Sequence, residues 1–145
     1  MKKYLVFLVT LLLVMGCNYT HQNREQDKQE AEKITNDFYN KVINDNGKET
    51  ESLFSDNFFE ATDKSKFNLI FSQSNNDYGK ILNHTLVKAE TFVVEGNNPQ
   101  GEYLLVYNVE REKMKTQEFF TMREEKGKIK IVGYRINTDP LENKR

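Results

Sequence analysis

The chain of 145 residues contains no tryptophan, one cysteine, two prolines and two histidines. A single cysteine excludes an internal disulfide and a thiolate metal cage, so packing alone must hold the fold. His21 and His84, far apart in sequence and without a thiol to join them, cannot form a histidine-rich metal site. Charge of one sign is also scarce in excess: 21 Lys and Arg against 22 Asp and Glu leave a net of −1. That balance speaks against a nucleic-acid partner, which would call for a clustered basic surplus. Gly-rich phosphate loops, a Gly-x-Ser-x-Gly nucleophile elbow and the acidic spacing of a calcium loop are all missing. So is a bilayer-spanning run. The longest apolar stretch, Tyr4 to Met15 interrupted only by Thr10, falls short of the roughly 20 residues that a membrane helix needs.

What is present begins at the N-terminus. Lys2 and Lys3 precede that apolar stretch, which ends in Val14-Met15-Gly16-Cys17. A basic start, a short apolar run and a small residue at the cut site make an export signal. Its ending resembles the lipobox of bacterial lipoproteins. The resemblance implies that residues 1–16 are removed and that Cys17 is acylated and becomes the new N-terminus. The expectation that follows is a protein tethered by lipid on the non-cytoplasmic side of a membrane. Asn18 stands where an aspartate favours inner-membrane retention in some Gram-negative bacteria, which leans toward the outer membrane where there is one. Two or more acyl chains anchor stably, whereas one binds reversibly.

Removal of the first 16 residues from 145 leaves 129, enough for one modest domain with one core. Residues 17–29, the cysteine and a polar stretch, read as a flexible tether. From Ala31 the apolar residues Ala31, Ile34, Phe38 and Val42 recur at helical spacing, with an end near Asn44 to Gly47. A short second helix is expected over Glu49 to Phe54, broken by Ser55-Asp56-Asn57. A third starts at Thr62 or Asp63, turns Phe67, Ile70, Phe71 and Ser74 inward, and stops by Gly79. Strands then follow over residues 82–95, 102–111, 114–123 and 129–136. Tyr103, Leu105, Tyr107 and Val109 share one face of the second of these, and Leu104 and Val106 the other. Thr116, Glu118, Phe120 and Met122 share a face of the third. Glu125 to Lys128 makes a hairpin turn, and the last strand switches faces near Gly133, as a β-bulge would make it do. The expected fold class is α+β: N-terminal helices on a curved, four-stranded antiparallel sheet spanning residues 30–137, with a polar tail at 138–145.

Order and spacing of these elements resemble the cystatin-like fold of the nuclear transport factor two-like superfamily. The most specific stretch is Glu118-Phe119-Phe120-Thr121-Met122-Arg123, then Lys126-Gly127-Lys128, then Ile131-Val132-Gly133-Tyr134-Arg135-Ile136. It is similar to the closing hairpin of small bacterial secreted members. Asp77-Tyr78-Gly79-Lys80 resembles the turn between their last helix and sheet, while Ile129 stands where many carry Trp. Enzymes of this superfamily, such as polyketide cyclases and ketosteroid isomerases, work in a cone between sheet and helices. That chemistry needs a buried Asp or His base and oxyanion donors such as Tyr.

Here the candidates are Asp77, His84, Tyr78, Tyr103, Tyr107 and Tyr134, with Phe71 as an apolar wall. None matches an enzymatic motif residue by residue. His84 reads as a surface or hydrogen-bonded residue rather than a base, the strand tyrosines equally well as core residues with hydroxyls at the rim, and Asp77 most simply as a helix-ending residue. The charged run Glu110-Arg111-Glu112-Lys113 reads as an exposed hairpin end. No cofactor or metal is expected. Three roles remain: a non-enzymatic domain binding a protein or small ligand at the cell envelope, a small enzyme or ligand carrier using the cone, and a homodimer formed through Phe119 or the Leu104–Val106 pair.

Overall fold

The computed structural model of the chain describes residues 18–45 and 47–138. The expected export signal 1–16, the expected lipidation site Cys17 and the tail from residue 139 onward lie outside the described residues. The order is β1 (Tyr19–Gln22), α1 (Glu25–Asp45), a 3₁₀ turn (Thr50–Leu53), α2 (Asp56–Ala61) and α3 (Lys64–Tyr78). Then come β2 (Ile81–Glu95), β3 (Gln100–Arg111), β4 (Lys115–Glu125) and β5 (Lys128–Asn137). The strands form one antiparallel sheet in the order β1-β2-β3-β4-β5. The class is α+β, as expected, but the sheet has five strands rather than four.

The extra strand lies in the stretch read as a polar tether. Tyr19 pairs with Glu95 and Gln22 with Phe92 along the end of β2. Strand pairing satisfies backbone N–H and C=O groups whatever the side chains, so a polar sequence can complete an edge without any alternation to announce it. Asn23, at φ 55°, then turns the chain. Its N–H donates to the Thr91 carbonyl at 2.9 Å, and its own Oδ1 accepts from the Thr91 N–H at 3.0 Å. Helix α1 starts at Glu25, six residues before the apolar period begins, because its first turn is polar and tied down. The Arg24 guanidinium lies 2.6 Å from Asp27 and 2.8 Å from Glu95, and Asp27 is 2% exposed. The sheet therefore already includes residues 19–22, upstream of residue 30.

Further along α1, Ala31, Phe38 and Val42 are buried as the period requires, and Thr35 and Tyr39 widen the stripe. The expected helix over Glu49 to Phe54 shrinks to a single 3₁₀ turn, preceded by Glu49 in the left-handed region. Ser55, read as a breaker, instead caps α2: its Oγ accepts from the Phe58 N–H at 3.0 Å. Asp63 caps α3 through the Ser65 N–H at 2.8 Å, and Phe67, Phe71 and Ser74 are buried. Among the described residues no helix is long and apolar enough to cross a membrane.

Three bulges curve the sheet around α1. In β2 the register shifts between Ile81 and Asn83 and between Leu86 and Lys88, leaving Leu82 and Val87 exposed. In β5 the shift falls opposite Thr121 and Met122, between Ile131 and Gly133, which accounts for the switch of faces there. The β4–β5 turn has positive φ at Lys126 (53°) and Gly127 (74°), the geometry of a tight primed hairpin turn. Phe38 sits at the centre of the core, with ring centroids 5.0 Å from Phe120, 5.0 Å from Tyr134 and 5.7 Å from Phe71. Phe54, Phe58, Phe59 and Phe67 extend this ring packing toward the helical end. Each edge-to-face pair of this kind adds about 0.5–1.5 kcal/mol beyond its buried area.

Candidate functional site

Glu118 belongs to the inward phase of β4, shared with Thr116, Phe120 and Met122. Arg111 ends the inward phase of β3, after Tyr103, Leu105, Tyr107 and Val109. Strand periodicity therefore turns both charges into the core, where they meet. The Arg111 guanidinium lies 2.6 Å from Glu118 Oε1, with Glu118 0% and Arg111 5% exposed. The expectation of an exposed charged hairpin end is corrected at Arg111, because its place in the alternation outweighs its charge.

The pair is closed by further hydrogen bonds. Glu118 Oε2 accepts from the Tyr39 hydroxyl at 3.1 Å and from the Tyr134 hydroxyl at 2.8 Å. Arg111 also donates to Thr116 Oγ1 at 3.3 Å and to the Gly79 carbonyl at 3.2 Å. The last bond links the end of α3 to the sheet. Two charges taken out of water are tolerated only when their remaining donors and acceptors are met in this way.

Around this pair stand aromatic groups whose proton affinities are shifted first by burial and, for Tyr39, Tyr134 and His84, then by the Glu118 carboxylate. Burial, then the Glu118 carboxylate, pushes the Tyr39 phenol well above its ordinary range; the same two causes act on Tyr134. Both hydroxyls thus stay protonated and able to donate. The imidazole of His84 stacks on the Tyr39 ring at 4.0 Å and 21°. Burial lowers its pKa against the opposing pull of the Glu118 carboxylate, so it is neutral at pH 7. Tyr107 shares a 2.6 Å hydrogen bond with Thr35 on α1, and burial raises its phenol to about 12. Tyr78 ends α3 with its ring 6.0 Å from the Arg111 guanidinium.

Of the residues singled out from sequence, the fold gathers Tyr78, His84, Tyr107 and Tyr134 about one centre. Phe71 stays in the core, edge-on to Phe38 and Phe67. Tyr103 is buried further along β3, near Gly101, its phenol raised to about 12 by burial and then by Glu124. Asp77 is exposed on the last turn of α3 and stands apart from the cluster. Sequence reasoning missed Glu118, Arg111 and Tyr39. The signal was present as two ionisable residues in phase with apolar neighbours on adjacent strands.

Chemically, the centre is saturated. Glu118 meets a guanidinium on one oxygen and two phenols on the other, an arrangement that holds strands and helix together. It leaves no carboxylate oxygen turned to a reactant. Clefts lined by described residues flank the core rather than open it. One lies over the outer face between Gln22, Phe92, Leu104 and Arg123, and borders Tyr103. Another lies between the end of α1 and the start of β2, bounded by Ile43, Lys48, Lys80 and Ile81. Among the described residues no three His, Cys, Asp or Glu side chains gather as a metal site. On the outer face Val106 is buried, and Phe119 is half-buried beneath the Arg135 guanidinium, 4.4 Å from its ring. Compared with known protein families, with curated proteins and with solved structures, the chain matches none.

Proposed function

We propose that this chain is a bacterial lipoprotein, acylated at Cys17, whose folded unit is a non-enzymatic binding domain held at the cell envelope. The anchor reading rests on Lys2-Lys3, the short apolar run and Val14-Met15-Gly16-Cys17. The fold is read as cystatin-like, of the nuclear transport factor two-like superfamily. Support for that comes from the helices preceding an antiparallel meander and from the bulges that wrap the sheet about α1.

One observation carries the non-enzymatic reading: the carboxylate at the heart of the fold has both oxygens engaged and is fully buried. A general base needs an oxygen or nitrogen within hydrogen-bond reach of the proton it removes. A buried pair already satisfied from within serves rigidity instead, and the binding surface is then the outside of the domain.

Fractionation of cells expressing the full chain tests the anchor. The natural protein partitions with membranes, and Cys17→Ser moves it, still folded, to the soluble fraction. Unchanged membrane association of the Cys17→Ser protein would overturn the reading. Turnover of a substrate by the purified protein, lost on changing His84, would overturn the non-enzymatic half alone.

A further inference from the structure

We propose that the β2–β3 hairpin tip, Gly96 to Pro99, together with Tyr19, is the surface that rests on lipid headgroups, with the opposite end of the sheet directed away from the membrane. This inference rests on the anchor reading above and adds an orientation to it.

The first observation is the length of chain between anchor and fold. Cys17 is two residues from Tyr19, and Tyr19 is already paired with Glu95. Two residues of fully extended chain span at most about 7 Å. A free polar stretch reaching to residue 29 would have let the domain turn in any direction; a paired strand does not. Because β1 runs antiparallel to β2, following it back from Gln22 to Tyr19 leads toward the hairpin tip, from Phe92 to Glu95. Asn18 completes the link. Its Oδ1 accepts from the Asn97 N–H at 3.0 Å, and it lies so close to Gly96 that a Cβ there would come within 2.3 Å of the same oxygen.

The second observation is charge. Residues 96–101, Gly-Asn-Asn-Pro-Gln-Gly, carry no ionisable side chain in a protein whose composition is 30% charged. The other end of β3 is the reverse: Glu110 to Lys115 is charged at every position but Met114. Charges on β2 and β3 beside the tip are partnered, while the β4–β5 turn, Glu124 to Lys128, brings further charges to the same end of the sheet. Glu95 lies 2.8 Å from Arg24 and 3.6 Å from His21, and Glu102 lies 3.4 Å from Arg123. An uncharged tip approaches an interface without stripping water from an ion. Tyr19, 63% exposed beside it, is a residue type favoured at headgroup depth. With the tip down, β3 carries its charged end about 35 Å from the bilayer, at the usual rise per residue of a strand.

The chain lacks tryptophan, so single-tryptophan reporters are unambiguous. Asn98→Trp and Lys115→Trp, both at exposed positions, are introduced separately into the full chain. Each protein is extracted from cell membranes and reconstituted into phosphatidylcholine vesicles with lipid brominated near the headgroup. Emission from the Asn98→Trp protein shifts to the blue and is largely lost to quenching, while that from the Lys115→Trp protein is unchanged. Equal or stronger quenching in the Lys115→Trp protein, or no quenching of either in acylated protein, overturns the orientation. The mass of the N-terminal peptide reads acylation of Cys17 separately. Quenching of the Asn98→Trp reporter without an acyl group would sustain the surface and overturn the anchor reading, and absence of both would overturn both.

Discussion

Truncating Glu118 isolates the buried pair. In Glu118→Ala the Arg111 guanidinium, 5% exposed in the natural protein, loses its carboxylate and keeps the Thr116 hydroxyl and the Gly79 carbonyl as acceptors. Removing one partner of a buried ion pair costs about 3–5 kcal/mol, because the other charge is left uncompensated. The Tyr39 and Tyr134 hydroxyls also lose their acceptor. Each buried hydroxyl left unmet costs about 1–3 kcal/mol, but water entering the vacated space recovers part of this. The expected loss is therefore about 4 kcal/mol, a large share of the 5–15 kcal/mol typical of a domain. For a domain of this size that is a fall in Tm of about 15 °C. Urea titration followed by far-ultraviolet circular dichroism measures it, and the midpoint should move without a change of slope. The double change Arg111→Met with Glu118→Leu removes both charges and should be less damaging than Glu118→Ala alone. A loss below about 1 kcal/mol for Glu118→Ala, the range of surface ion pairs, would refute the burial argument, as would simple additivity in the double variant.

Alkaline pH should expose the same architecture. Phenols whose folded pKa is raised keep their protons as the unfolded chain loses them, so their contribution to stability is complete below pH 10 and declines as pH rises toward about 12 for Tyr103 and Tyr107. Absorbance at 295 nm should show these two, with Tyr39 and Tyr134, ionising only as circular dichroism reports unfolding; free titration near pH 10 would contradict their burial. His84 acts at the other end. Its pKa is depressed, so the unfolded chain binds its proton first and stability falls as pH drops below about 6.5. His84→Gln should flatten that part of the stability–pH curve, and an unchanged slope would assign the effect elsewhere. Two glycines with positive φ give a steric contrast. Gly127→Ala meets no neighbour within 4 Å and should cost about 1–2 kcal/mol from backbone strain alone, whereas Gly47→Ala places a Cβ 2.3 Å from the Phe71 ring and should cost clearly more. Equal chemical denaturation midpoints for the two would undo that distinction.

Alternation made the inner faces of β3 and β4 readable, because Leu105, Val109, Phe120 and Met122 recur at every second residue. The helical face of α3 was readable for the same reason at its own period. Strand β1 was not. Tyr-Thr-His-Gln has no apolar rhythm, and its stability derives from a distant partner, Gln22 pairing with Phe92 and Tyr19 with Glu95. Ser55 was ambiguous by nature, since a residue that ends one element by bonding its own backbone can begin the next by the same bond. The Arg111–Glu118 pair was hidden by the habit of assigning charge to surface. Position in phase with buried neighbours was the stronger cue, and it needed two strands in register to become a pair.

The order of the strands also carries a consequence for how the chain reaches this state. From β2 to β5 every neighbour in space is a neighbour in sequence, joined by tight connections that close small loops. Such hairpins form early, because little chain entropy is lost before contacts are gained. Strand β1 is the exception. It leaves the ribosome before the other strands, yet the surface it pairs with does not exist until β2 has been made and aligned. The four residues of β1 must therefore wait for a partner made some 70 residues later, and the end of the domain nearest Cys17 cannot be completed until β2 is in place.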